Sequence, residues 1–214
     1  MKKVVKENHQ MHCIFPCPVY VAKRDTNLSP KETKEIRKII DKEGVYKNGS
    51  NSISNNTDIF NGKLKKLKQL CEQQLNIYVK EVINPKEELD FYITQSWLSI
   101  TKPGEHHHEH SHQNSIVSGI FYISTEEGDK ITFSDPNAKV KEMIKFEPKE
   151  YNLFNSTIWT FFSITNEFLL FPSWLEHRVE VNEKATTDRI SLAFNTFVRG
   201  TCGKRQDLTK LILK

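Results

Sequence analysis

Five of the eight histidines in this 214-residue chain lie between residues 105 and 115, in the stretch EHHHEHSHQNS. Such a run is either a solvated polar loop or a metal site, because imidazole is a good ligand for iron, zinc, copper and nickel. The run is internal and interrupted by Glu109 and Ser111, which argues against an engineered tag. It lies between two strand-like segments, where a rigid scaffold can present a loop for function.

A mononuclear metal site would need a further ligand from elsewhere in the chain, and His177 is the only histidine downstream of the cluster. In LLFPSWLEHRV, Pro172 ends one predicted strand and His177 opens the next. A lone histidine at such a place would be an ordinary packed or surface residue. An H-x-H pair together with a distant, strand-borne histidine instead predicts a metal centre.

The segment DRISLAFN (188–195) has a second chemical feature. Side chains alternate along a strand, so one face is apolar and the other carries Arg189, Ser191, Ala193 and Asn195. A buried arginine is costly unless it is paired, and its planar guanidinium matches a carboxylate through two parallel hydrogen bonds. The partner of Arg189 is therefore either a local Asp or Glu or the carboxylate of a ligand.

The N-terminal part predicts a strand followed by a helix. IFPCPVYVAK (14–23) alternates and contains β-forming residues, which predicts the strand. Residues 29–44 predict a helix that begins with a capping box, formed by Ser29 and Glu32, and ends at Gly44.

The stretch at 47–62 is rich in Asn, Ser and Gly and predicts a connecting loop. A second helix is predicted from about Lys63 to Val82. Short β-type runs separated by turn residues then follow in this order: DFYITQSWLSIT, SIVSGIFYIS, KITFSD, STIWTFFSI, EFLLFPS, HRVEV and RISLAFNTFVRG. Runs of this length and spacing predict a sandwich, a jelly roll or a barrel.

The length suits a single domain over residues 1–214. We expect an N-terminal strand with supporting helices in 1–85, a β core in 86–200 and a tail in 201–214. The lysines are scattered and the net charge is only +4, which argues against nucleic acid as a partner. No apolar run approaches the ~20 residues of a spanning helix, and the four cysteines form no CxxC pair. These features favour a cytoplasmic protein with reduced thiols that does not contact a membrane.

Three tryptophans, Trp97, Trp159 and Trp174, could form a platform for a substrate. Large aromatic residues in β-rich proteins are more often part of the core, so we expect core packing for all three. Residues 151–162 precede the strand before His177 and could form part of a lid or rim.

The H-x-H pair, SGIFYI, LLFPSWLEHRV and RISLAFN together resemble the iron(II)/2-oxoglutarate-dependent dioxygenases. The chain is most similar to a subgroup from phages and marine bacteria with the pattern H-x-H-P-x-S-x-x-S-G-[VI]-x-Y. The resemblance covers most of the chain, and its specific motifs lie within residues 94–198. It implies a mainly β protein with N-terminal helices and a double-stranded β-helix core, which is a jelly roll of the cupin-like type.

The resemblance also implies a register for the metal ligands. In the subgroup pattern the ligands lie eight and six residues before the serine of S-G, which is Ser118 here. Counting back gives His110 and His112, with His177 as the third ligand. The three remaining histidines of the cluster, His106, His107 and His108, would then be loop or supporting residues.

Two departures from the pattern leave alternatives open. The wider superfamily has a carboxylate where this chain has His112, so a site made of His107, Glu109 and His177 is the alternative ligand set. We expect His107 to be solvated at the surface, with a role in positioning the substrate as the other interpretation. The second departure is Gln113, which stands where the subgroup usually has proline.

The resemblance further implies cosubstrates, namely O2 and 2-oxoglutarate, with Fe(II) as the metal. 2-Oxoglutarate would chelate the metal and extend its far carboxylate to Arg189, with Ser191 or Tyr122 adding a hydrogen bond and Asn195 on the same face. Core packing is the alternative role for Tyr122. Oxidative decarboxylation to succinate would drive C–H oxidation of a substrate, for which a protein side chain or a small molecule is favoured over nucleic acid. A homodimer is common for such folds, although no residue specifies one.

Two other functions fit parts of the sequence. A three-histidine, cupin-like metalloenzyme could use zinc or another metal without 2-oxoglutarate, and Arg189 would then have no cosubstrate to bind. A non-catalytic jelly-roll binding or structural module would carry the histidines without a role for them. The oxygenase is the leading hypothesis because it uses the histidines and the arginine together.

Overall fold

The computed structural model describes residues 10–62, 64–141, 144 and 147–214. The strands are β1 Tyr20–Lys23, β2 Val45–Asn48, β3 Asn51–Ser54, β4 Asp90–Thr101, β5 His107–His110, β6 Val117–Ser124, β7 Lys130–Ser134, β8 Ile158–Phe162, β9 Glu167–Pro172, β10 His177–Val179, β11 Arg189–Cys202 and β12 Leu211–Leu213. The helices are α1 Pro30–Lys38, α2 Lys65–Tyr78 and α3 Ala138–Lys141. Within these residues, no helix is both long and apolar enough to cross a membrane.

Two antiparallel sheets face each other. The larger sheet has the order β1-β9-β6-β11-β4-β3-β2, with β12 paired to β11, and the smaller has the order β5-β10-β7-β8. The long strand β11 pairs with β4 on one side and with β6 on the other. This is the mainly β, jelly-roll architecture that the sequence predicts.

The larger sheet separates two apolar layers because side chains alternate along its strands. One face packs against α1 and α2 through Leu98, Phe121, Leu170, Leu192 and Phe194, which are all fully buried. The opposite face meets the smaller sheet in a second cluster, which is made of Ile120, Tyr122, Ile131, Phe133, Leu169, Phe171 and Leu175. The polar side chains of β11 lie on that second face, so the space between the sheets is where a site can form.

Helix α1 has the predicted start. The Ser29 side chain accepts a hydrogen bond from the Glu32 backbone N–H, and the Glu32 carboxylate accepts one from the Ser29 backbone N–H. The helix continues into a π-helical turn, Ile39–Glu43, and ends at Gly44, whose φ of 85° favours glycine. Helix α2 also ends in a π-helical turn, Val79–Ile83.

The structure corrects several predictions for the N-terminal part. The predicted strand at 14–23 is strand only from Tyr20 to Lys23. The predicted start of the second helix, Lys63, lies outside the described residues. The loop predicted at 47–62 is wrong, because this stretch contains most of a hairpin of β2 and β3 that pairs with β4 at the edge of the larger sheet. Asn and Ser are poor strand formers by themselves, so pairing with an existing sheet edge outweighs local preference here.

The seven β-type runs predicted after residue 90 all contain strands, so that part of the prediction is confirmed. Two further strands, β5 and β12, are additional to them. The histidine cluster was expected to be a loop, and instead its central part forms β5, which pairs with β10. The domain boundaries proposed above stay a prediction.

Gly119 in the S-G motif has a packing role that can be tested. A Cβ atom at this position would lie 2.0 Å from Cζ of Phe194, its cross-strand partner on β11. We expect Gly119→Ala to destabilise the protein by about 3 kcal/mol, because overpacking a closed core forces shifts in the backbone or side chains. Chemical denaturation measures the change.

The matched control shortens the partner side chain. Phe194→Leu removes the clashing ring, so in the Gly119→Ala background it should restore part of the lost stability, although it costs stability in the wild-type background. Equal and additive losses for the two substitutions would contradict the proposed steric clash.

Candidate metal and cosubstrate site

Three histidines from two neighbouring strands converge between the sheets. His110 ends β5 and is the cross-strand partner of His177, the first residue of β10, while His112 follows two residues after β5. Their ligating nitrogens lie within 4.8 Å of one another. The ring centroids of His110 and His112 are 4.4 Å and 5.2 Å from that of His177. The structure thus brings together the three histidines that the sequence proposes as ligands.

Backbone hydrogen bonds orient two of these rings. Nδ1 of His110 lies 2.8 Å from the carbonyl oxygen of His108, and Nδ1 of His177 lies 3.0 Å from that of Leu175. A carbonyl oxygen only accepts, so each Nδ1 carries the proton and donates. Nε2 of both rings is therefore left as a free ligand atom, which is the usual arrangement for metal-binding histidine.

His112 is held by side chains instead. Its imidazole lies beside the side chain of Asn195, and Oγ of Ser118 donates to Oδ1 of Asn195 over 3.0 Å. The ring of Trp97 stacks on that of His112 at a centroid distance of 5.8 Å. Asn195 thus lies beside His112, and its predicted role in cosubstrate binding stays a prediction.

The imidazoles are held neutral. Burial, reinforced by the neighbouring histidines, lowers the pKa of His112 to about 4 and that of His177 to about 2. Burial also lowers the pKa of His110. Neutral imidazole is the form that binds a metal, so the site is ready for a cation at neutral pH.

A cationic group lies on the same face of the larger sheet. Arg189 is 4% exposed, and its guanidinium donates to Oγ of Ser163 over 3.3 Å. Within the part of the chain that the structure describes, its Nε has no hydrogen-bond partner, and neither do the buried hydroxyls of Tyr122 and Thr101. The Arg189 guanidinium carbon lies 5.2 Å from the centroid of the Tyr122 ring. Burial of three neighbouring polar groups without hydrogen-bond partners lowers stability unless a ligand forms hydrogen bonds with them.

Strand register explains why these groups meet. Arg189 on β11 is the cross-strand partner of Thr101 on β4, and Ser191 is the partner of Ser99 on β4 and of Tyr122 on β6. Cross-strand partners share a face, so all five side chains lie on the face of the larger sheet that meets the smaller sheet. One cavity is lined by His110, His112, His177, Arg189, Ser191 and Ser99, among others. Sequence reasoning missed Thr101 and Ser99, because only the register shows that they face Arg189.

His107 is not at the solvated surface, so that expectation is wrong. Its ring stacks on that of His110 at a centroid distance of 4.2 Å. Its two nitrogens each lie 3.4 Å from an amide nitrogen of the β2–β3 hairpin, one from Asn48 and the other from Asn51. Asn51 is fully buried and donates to Ser99 over 3.0 Å. The stretch interpreted as a connecting loop therefore contributes a wall of the site.

The alternative ligand set with Glu109 finds no support in the geometry. The Glu109 carboxylate forms an ion pair with Arg178 at 3.0 Å and accepts a hydrogen bond from Ser134. Among the described residues, the groups that bring three ligating atoms together contain histidines only.

The tryptophans depart from the prediction of core packing. Trp159 and Trp174 are 46% and 57% exposed, so the prediction is wrong for these two. Both line a groove of about 620 Å³ together with Phe133, Phe161 and Leu175. Residues 151–162, predicted as part of a lid or rim, contribute Leu153, Phe154 and Ile158 to the same groove.

Part of the chain matches a known family model. Residues 95–195 match a family model described as "Putative 2OG-Fe(II) oxygenase". Over this range the chain is similar to the 2OG-Fe(II) oxygenases. The matched range includes every residue proposed above for the metal and the 2-oxoglutarate carboxylate. No curated protein matches this chain.

Several solved structures share the fold of this chain. A prolyl-4-hydroxylase from Pseudomonas putida has 14% identity and a TM-score of 0.55, over 86% of this chain and 94% of that chain. HygX from Streptomyces hygroscopicus, solved with nickel, 2-oxoglutarate and hygromycin B bound, has 12% identity and a TM-score of 0.55, over 84% and 82%. A prolyl hydroxylase from Trichoplax adhaerens, in complex with a hypoxia inducible factor peptide fragment, has 13% identity and a TM-score of 0.55, over 84% and 83%.

The lowered histidine pKa values predict that the metal-free protein is sensitive to mild acid. The histidines of the unfolded chain become protonated as the pH falls through about 6.5, whereas the folded imidazoles stay neutral. The free energy of unfolding is therefore constant above about pH 7.5 and decreases as the pH drops below about 6.5. Fully buried His177 alone should cost about 1 kcal/mol between pH 7.5 and 5.5. Thermal unfolding in the presence of a chelator measures this.

His107→Gln provides the control. Burial lowers the pKa of His107 to about 3, so removal of this imidazole should reduce the dependence of the melting temperature on pH. A melting temperature that stays level from pH 7.5 to 5.5 would contradict the neutral, buried state of these rings.

Proposed function

We propose that this chain is a 2OG-Fe(II) oxygenase in which His110, His112 and His177 hold the iron and Arg189 binds the far carboxylate of 2-oxoglutarate. The observation that carries the proposal is the buried guanidinium of Arg189, which has an unpartnered Nε and lies on the same cavity as three convergent imidazoles. The donor set fits both groups, since neutral imidazoles bind iron(II) and a guanidinium matches a carboxylate. When bound, iron and 2-oxoglutarate supply the oxidation of a substrate C–H bond coupled to formation of succinate.

The protein's own groups bind and orient the reactants. Arg189 can donate from Nε to a carboxylate oxygen, and the hydroxyls of Tyr122 and Thr101 can donate to the same anion. No carboxylate of the described residues pairs with Arg189, whose one side-chain partner is the neutral hydroxyl of Ser163. This favours a ligand carboxylate over a structural ion pair, and it favours the oxygenase over a cupin-like enzyme without 2-oxoglutarate.

We propose that the substrate approaches along the apolar groove beside the metal ligands. A single row of cross-strand partners runs from His110 through His177 and Phe133 to Trp159. The row connects the imidazoles to the exposed aromatic side chains at the edge strand β8. An apolar side chain of a peptide, or an apolar small molecule, fits this lining better than a nucleic acid does. The four cysteines are free thiols, which fits a reducing compartment such as the cytoplasm.

Succinate formation in air tests the proposed function. Purified protein reconstituted with iron(II) should release succinate from 2-oxoglutarate, and His177→Ala should abolish the release. Arg189→Met should raise the KM for 2-oxoglutarate by about 100-fold, because a charge-assisted hydrogen-bonded pair is lost. Zinc in place of iron should give no succinate.

Arg178→Met is the matched control. Arg178 is adjacent to His177 on β10, but it pairs with Glu109 and Glu180 rather than lining the cavity with Arg189. Its loss should leave the KM for 2-oxoglutarate unchanged. Equal effects of the two arginine substitutions, or full activity of Arg189→Met, would contradict the assigned carboxylate site and support the enzyme that does not use 2-oxoglutarate.

A further inference from the structure

The clustered histidines form two overlapping groups rather than one. The inner group is His110, His112 and His177, and the outer group is His107, His108 and His110. Within each group the ligating nitrogens lie within 4.8 Å of one another. No role proposed so far uses the outer group.

An irregularity in strand pairing creates the outer group. His107 and His110 lie three residues apart on β5, yet they oppose Val179 and His177, which are two residues apart on β10. The extra residue is a bulge, and it lets side chains meet that would alternate on a regular strand. The His107 ring accordingly lies 4.2 Å from that of His110 and 5.0 Å from that of His108.

The two groups cannot each hold an ion at the same time. They share His110, whose Nδ1 donates to the carbonyl oxygen of His108, so only Nε2 is free to bind. One lone pair binds one cation, so occupancy of one group excludes occupancy of the other.

The two groups also differ in their access to solvent. In the outer group His108 is exposed and His107 is half-buried, whereas in the inner group His112 is half-buried and His177 is only 3% exposed. A cation that arrives from water therefore meets the outer group first. Each ring nitrogen of His107 lies 3.4 Å from an amide nitrogen of the hairpin, one from Asn48 and the other from Asn51, and an amide nitrogen only donates. Binding of a cation through His107 therefore replaces one of these two contacts.

We propose that His107, His108 and His110 form a capture site for a divalent first-row cation, from which the ion passes to the inner group. His110 stays bound throughout, while the bonds to His107 and His108 are exchanged for bonds to His112 and His177. The ion keeps its oxidation state, so the transfer is ligand exchange alone. This inference rests on the proposed metal centre for its purpose, but the outer group exists in the structure independently of any reaction.

An equilibrium titration tests whether the capture site exists. Co(II) is added under argon to the double variant His112→Ala/His177→Ala, and its visible absorption reports imidazole ligation. One equivalent should bind through the outer group. Adding His108→Ala should weaken that binding by about tenfold or more, the scale on which loss of one group at a metal site lowers affinity.

His106→Ala is the matched control, since His106 is an exposed histidine of the same stretch that belongs to neither group. It should leave Co(II) binding by the double variant unchanged. Absence of Co(II) binding by a folded double variant, or equal effects of the His106 and His108 substitutions, would overturn the proposal.

A loading experiment uses the chain with its inner group intact and decides the matter if the double variant does not fold. Stopped-flow absorption follows Co(II) uptake by the metal-free wild type, by His108→Ala and by His106→Ala. Uptake should be slower by about tenfold in His108→Ala alone, and equal rates for all three would overturn the capture role. Neither experiment contains 2-oxoglutarate or oxygen, so failure of the capture site and failure of the proposed function are distinguishable.

Discussion

The antiparallel pairing of β11 with β4 and β6 is the constraint on which both the fold and the site depend. With a partner on each side, β11 has its backbone groups satisfied and its side chains forced to alternate between two environments. Leu192 and Phe194 pack against the helices, while Arg189 and Ser191 face the smaller sheet. The same strand thus anchors the main core and carries the proposed carboxylate site, and Gly119 on β6 leaves the space that the Phe194 ring requires.

The electrostatics of the cavity depend on which of its polar and charged side chains have partners. The imidazoles of the inner group are neutral because burial opposes their charged form, so they can bind a cation without charge repulsion. Arg189 is buried with a neutral hydroxyl as its side-chain partner, so it favours an anion at the same cavity. A metal dication and a dicarboxylate are therefore complementary to opposite parts of one site. In an inert core, burial of these polar groups would only reduce stability. Here the same burial makes the site selective for a cation and an anion.

Much of the β-rich part could be predicted from sequence, because local patterns determine it. Alternation in RISLAFN placed Arg189 and Ser191 on one face, and turn residues separated the strands. The histidine ligands were proposed from motif spacing together with a family resemblance. Other features depend on register between distant segments, which no local pattern contains. Thr101 faces Arg189 only because β4 and β11 pair as they do, and the bulge in β5 appears only opposite β10.

The hairpin of β2 and β3 is another feature that local sequence patterns do not predict. Asn48 and Asn51 look like turn residues in isolation, yet they contact His107 in the folded protein.

A crystal structure with Ni(II) and 2-oxoglutarate, where nickel replaces iron to prevent turnover, would test the central claim most directly. The account predicts nickel bound to Nε2 of His110 and His177 and to the His112 ring, with the far carboxylate of 2-oxoglutarate hydrogen bonded to Arg189. Nickel ligated by Glu109, or a carboxylate placed away from Arg189, would contradict it.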